Sequence, residues 1–92
     1  MTALNEPANL PTKLVSVWRE IAPQVRPRIG LVGMESLCWQ VVRMRDAQAR
    51  IDAEGMIVAD TKGAPVPHPA IVIERQAQAQ VRSWLLKYGA SQ

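Results

Sequence analysis

The chain has 92 residues, a formal net charge of +3 and a pI near 9.6, with 48% of its residues apolar. That length holds one small domain with little core to spare, and the apolar share excludes wholesale disorder. The positive balance favours an acidic partner such as nucleic acid only mildly, because many small domains are equally basic.

A single cysteine, Cys38, excludes an internal disulfide and, with only His68 beside it, gives no metal-ligating set. No apolar run approaches the roughly 20 residues of a membrane span. Residues 1–10 lack the charged-then-apolar layout of a signal peptide. A soluble cytoplasmic protein with no membrane partner is therefore expected. Its aromatics are three Trp, one Tyr and no Phe, rings whose polar handles suit an interface as well as a core.

Residues 1–10 are small, polar and marked by proline, and read as a flexible arm. A single helical domain is expected over 11–89, with a tail at 90–92. Its first part, 11–33, is a helix and a basic loop. Pro11 or Thr12 opens the helix; Leu14, Trp18 and Ile21 form one apolar face, with Lys13, Arg19 and Glu20 off it. Pro23 and Pro27 then break the pattern near Ala22. From Gln24 to Gly33 the sequence reads as a short helical turn and a glycine-flanked loop carrying Arg26 and Arg28.

A second helix is expected over 34–55, stopped by Gly55. Leu37, Val41, Met44 and Ile51 share one side, widened by Met34, Cys38, Val42 and Ala49. The opposite side holds Arg43, Asp46, Arg50 and Glu54. Trp39 falls among these charges, so it must meet the first helix, another subunit or a ligand.

Residues 56–67 read as a hairpin. Met56-Ile57-Val58-Ala59 suits a strand, and Asp60-Thr61-Lys62-Gly63 suits a turn. Pro65 and Pro67 are expected to limit its ladder bonds and keep it short. A third helix over 68–89 starts at His68-Pro69 and stops at Gly89. Ile73, Ala77, Val81, Trp84, Leu85 and Tyr88 form its stronger apolar stripe; Ile71, Val72, Ala79 and Leu86 form a weaker one. Two stripes need two surfaces: the second helix and, we expect, a neighbouring subunit. Trp39, Ile73, Val81, Trp84, Leu85 and Tyr88 are the expected oligomer interface.

Nothing resembles a catalytic constellation, so no enzyme and no cofactor is expected. Gly30 and Gly33 lack the Lys-Ser/Thr partner of a phosphate loop. His68, between prolines at a helix start, reads as a local cap. The cations group loosely: Lys13, Arg19, Arg26 and Arg28 early in the chain, then Arg43, Arg45 and Arg50. On a helix-turn-helix-like pair they would face a phosphate backbone. As ordinary solvated charges they would be partly offset by Glu20, Glu35, Asp46, Asp52 and Glu54.

The order of features resembles the small terminase subunits of tailed phages, specifically the P27-like family. The matching parts are Leu10-Pro11 with Trp18-Arg19-Glu20-Ile21-Ala22-Pro23, and Glu35 opening a Leu- and Cys-containing helix. Ala53-Glu54-Gly55, the Gly63 turn, His68-Pro69 and the closing Lys87-Tyr88-Gly89 follow. The resemblance implies a mainly α, three-helix domain with a short β-hairpin between the second and third helices. It also implies a non-enzymatic DNA-packaging adaptor that forms a ring-like homo-oligomer, recognises viral DNA, and regulates a large terminase subunit.

By region, the resemblance places double-stranded DNA on Lys13, Arg19, Arg26 and Arg28, and assembly on the second and third helices. Family members often continue into a Leu-Thr-Pro and a basic tail where this sequence reads Ala90-Ser91-Gln92, a departure from the pattern that leaves open whether a large subunit docks through this segment. The alternatives from the residues themselves are a small helical DNA-binding regulator and a non-catalytic helical interaction module.

Overall fold

The computed structural model describes residues 5–90; residues 1–4 of the expected arm and 91–92 of the expected tail lie outside them. Three helices and one hairpin make the expected mainly α fold: α1 (Thr12–Ile21), α2 (Gly30–Glu54), β1 (Ile57–Ala59), β2 (Pro65–Pro67) and α3 (Ala70–Tyr88). Within the expected arm, Leu10 already packs against the core and Glu6 reaches Arg19.

α1 buries Leu14, Val17, Trp18 and Ile21, the face that its helical spacing indicates. Pro23 then forces a single 3-10 turn over Ala22–Gln24, and Pro27 opens a second over Pro27–Ile29. Between them Val25 is extended and buried. α2 starts at Gly30, whose φ of 78° marks the change of direction, rather than at Met34. Gly33 thus sits inside a helix, where glycine normally costs about 1 kcal/mol relative to alanine. Here it makes room. A Cβ at Gly33 would lie 3.0 Å from Ile29 Cγ1 and 3.4 Å from the Trp84 ring.

α2 and α3 run antiparallel, and the core gathers at the end where α1 joins them. Met34, Leu37, Cys38, Val41 and Val42 from α2 meet the α1 face, Val25 and Ile29. From α3, Val81, Trp84, Leu85 and Tyr88 close over this cluster, and half-buried Trp39 packs against it too. Toward the hairpin the buried apolar contacts between the helices are small, Ala47, Ala70 and Ala77, and Gln48 Nε2 donates to Glu74 Oε2 across them at 3.1 Å. The molecule is correspondingly long, 55 × 28 × 18 Å. Its radius of gyration is 15.9 Å, against about 12 Å for a compact chain of this size.

In the hairpin, Ile57, Val58 and Ala59 pair antiparallel with Pro67, Val66 and Pro65. The flanking bonds run from His68 N–H to Met56 O at 2.8 Å and from Asp60 N–H to Ala64 O at 2.9 Å. Because hydrogen-bonded pairs alternate along an antiparallel ladder, Val58 and Val66 form the bonded pair between them. Pro65 and Pro67 therefore face outward and cost the ladder nothing, contrary to the expectation from composition. They strip the donors from β2's free edge, which protects it from pairing with another strand. The turn is held by Asp60, whose Oδ1 accepts from Lys62 N–H at 2.8 Å and Ala64 N–H at 2.9 Å.

His68 anchors the base of the hairpin. Its Nδ1 accepts from Ala70 N–H at 2.9 Å, so the ring proton sits on Nε2, which donates to Glu54 Oε1 at 2.6 Å. One buried side chain caps α3 and ties it to the last residue of α2. Gly89 ends α3 for a reason of space: any side chain there would collide with the Leu85 carbonyl.

Two stability measurements check these contacts. Gly33→Val pushes γ-carbons toward Ile29 and Trp84 and should cost about 1–3 kcal/mol; an unchanged urea midpoint would contradict the close approach. His68→Ala should lose about 0.5–2 kcal/mol of capping, whereas His68→Asn, which keeps a side-chain acceptor near Ala70 N–H, should lose less. Equal losses would show that the cap contributes nothing.

Candidate nucleic-acid and assembly surfaces

The four cations singled out as DNA contacts fall into two pairs. Lys13 lies 3.1 Å from Asp46 Oδ2 across the α1–α2 contact. Arg19 lies 2.7 Å from Glu6 Oε1. Both are exposed pairs, worth little to stability, but each brings a carboxylate against its cation. Arg45, on α2, makes a bidentate pair with Glu20 at 2.9 and 2.7 Å. This bond holds the Glu20 carboxyl below its ordinary range and raises Arg45. Arg26 and Arg28 are different: both are exposed, and neither has a carboxylate within 4 Å among the described residues.

The loop carrying them is fixed by the far end of the chain. Arg26 N–H donates to Tyr88 O at 2.7 Å, and Ala90 N–H donates to Gln24 O at 2.8 Å. An antiparallel bridge joins Val25 to Gly89 between these bonds. The Arg28 guanidinium carbon and Lys87 Nζ each lie 5.5 Å from the centroid of the Tyr88 ring, within cation–π range. Lys87 carries no signal in the sequence, because its neighbours come from a segment about sixty positions earlier.

Of the residues expected at an oligomer interface, Val81, Trp84, Leu85 and Tyr88 pack within their own chain, Trp84 and Tyr88 stacked with centroids 5.6 Å apart. Trp39 is likewise half-buried, its neighbour being its own core. Ile73 stays exposed at 47%. The weaker stripe is the more open one: Val72 is 54% and Leu86 83% exposed, with Ala79 exposed between them. Their seven-residue spacing places all three on one line of α3. A groove lined by Met44, Val81, Leu85 and Leu86 runs between α2 and α3. Leu31 and Val32 are exposed at the start of α2, in a stretch whose two glycines suggest loop, so the sequence does not mark them as surface apolar residues of a helix.

Burial, aided by Glu35, pushes the Cys38 thiol up to about 11, which keeps it protonated and inert. Among the described residues no three His, Cys, Asp or Glu side chains gather where they could hold a metal, and no helix is long and apolar enough to cross a membrane.

No curated relative and no solved structure matches the chain. A family model does: that of the phage terminase small subunit, over residues 16–91. The match runs from the middle of α1 through both long helices, the hairpin and the bridge at Gly89, and so takes in nearly the whole fold. The chain belongs to the phage terminase small subunit family.

Proposed function

We propose that this chain is the DNA-recognising adaptor of a tailed phage or prophage packaging machine, a homo-oligomer that regulates a large terminase subunit in the host cytoplasm. The observation that carries the reading is the family match across the fold, since the family implies DNA and a large subunit as partners. The adaptor has no chemistry of its own. Its work is to bind, to assemble and to present DNA.

DNA contact belongs to the region of Lys13, Arg19, Arg26 and Arg28, which are all exposed. Phosphate contacts there would set position and orientation, with sequence read elsewhere or through DNA shape. Assembly belongs to the α2–α3 pair. Its strong stripe is largely used within the chain, so the partner-facing surface is the line Val72, Ala79 and Leu86, together with Ile73 and the exposed margins of Trp39 and Trp84. Apolar side chains exposed along one helix line are what a neighbouring subunit would cover.

Light scattering tests this directly. The purified chain should have the mass of several subunits, and a monomer at micromolar concentration would contradict the reading. Val72→Glu with Leu86→Glu should lower that mass while changing the unfolding free energy of the single chain by no more than about 0.5 kcal/mol, because both side chains are exposed in it. An unchanged mass would remove the Val72–Leu86 line from the interface.

A further inference from the structure

We propose that the main phosphate-binding site is composite, formed by Arg26 and Arg28 together with Lys87 from the end of α3. The proposal rests on the DNA-binding reading above and deepens it. It moves the centre of DNA contact away from α1, to a point where the two ends of the fold are joined.

Charge compensation is the first argument. Lys13, Arg19 and Arg45 each have a carboxylate oxygen within 3.1 Å. A phosphate approaching them meets the field of a neighbouring carboxylate as well as that of the cation. Among the described residues, Arg26, Arg28 and Lys87 have no carboxylate within 4 Å, and all three are exposed. Their positive charge is therefore available to a polyanion, as is that of Arg43, Arg50, Lys62, Arg75 and Arg82, so it is the gathering at Tyr88 that distinguishes this set.

Geometry is the second argument. Tyr88 touches all three residues: its carbonyl accepts from the Arg26 N–H, and its ring lies under both Arg28 and Lys87 at 5.5 Å. Like charges would otherwise spread apart on flexible stems. The aromatic ring attracts each of them and so holds both beside one residue.

Cations also collect at helix C-termini because the exposed carbonyls attract them. At this terminus, however, Tyr88 O is taken by the Arg26 N–H and Leu85 O by the Gly89 N–H. The carbonyl field there is partly spent on backbone donors, so complementing it accounts for less of the cluster.

The site is also pre-organised. The Val25–Gly89 bridge and its two flanking bonds hold the loop and the helix end together before any ligand arrives. Less conformational entropy is then lost on binding. Arg28 supplies a planar fork suited to two phosphate oxygens, and Lys87 a compact point charge beside it. The ligand class is the phosphate backbone of double-stranded DNA.

The test is duplex DNA binding by fluorescence anisotropy across a salt series. It compares the unaltered chain, Arg28→Gln with Lys87→Gln, and Lys62→Gln with Arg75→Gln, which removes the same two charges from the hairpin and the start of α3. The first pair should reduce the slope of log affinity against log salt by about two, and the second by less than one. All four residues are exposed, and a thermal melt confirms folding. If the unaltered chain binds no DNA, the functional reading fails and the site with it. If it binds, but the first pair leaves the slope unchanged or both pairs lower it equally, the site alone is overturned.

Discussion

The closure between the loop behind α1 and the end of α3 is the constraint on which most of this structure depends. Two backbone hydrogen bonds and one β-bridge join Gln24, Val25 and Arg26 to Tyr88, Gly89 and Ala90. With α3 held there, Trp84 lies against Gly33, and Val81, Leu85 and Tyr88 cover the cluster built by α1 and α2. The closure spans most of the chain, so its loop entropy must be recovered from the apolar surface that it buries. Val81, Trp84, Leu85 and Tyr88, packed against the α1–α2 cluster, supply α3's share of that surface.

Stability is distributed unevenly as a result. The end containing α1 has nearly all of the large buried side chains, whereas the hairpin end has Ala47, Ala70, Ala77 and the His68 clasp. Local opening should therefore cost least at the hairpin, where backbone is exposed and few apolar contacts resist it. For the proposed assembling adaptor such a gradient would be useful. A rigid end can display charge, while a lightly packed pair of helices can adjust to a neighbour.

Much of this fold was legible in the sequence, because the helical periods are clean. Leu14, Trp18 and Ile21 declare the buried face of α1, Gly55 and Gly89 stop the long helices, and proline-flanked His68 announces a cap that the geometry supplies through its ring nitrogen. Two misreadings share one cause. Gly30 and Gly33 look like loop, and Pro65 and Pro67 look like damage to a strand, when each is judged by intrinsic propensity. Tertiary context reverses both judgements: Trp84 needs the space at Gly33, and the ladder's alternation turns the prolines outward.

The surfaces were less legible than the fold. Periodicity separates two apolar stripes on α3 but cannot say which one α2 will take, and the stronger stripe went inward. Charge pairing is equally hidden, since Lys13 finds Asp46 and Arg45 finds Glu20 only after α1 and α2 have packed. The gathering of Arg28 and Lys87 at Tyr88 depends on the closure itself. Amide hydrogen exchange tests that closure most directly. The Arg26 and Ala90 N–H groups should exchange as slowly as the amides in the buried first half of α2. Exchange as fast as that of the exposed Thr61 amide in the hairpin turn would contradict the account.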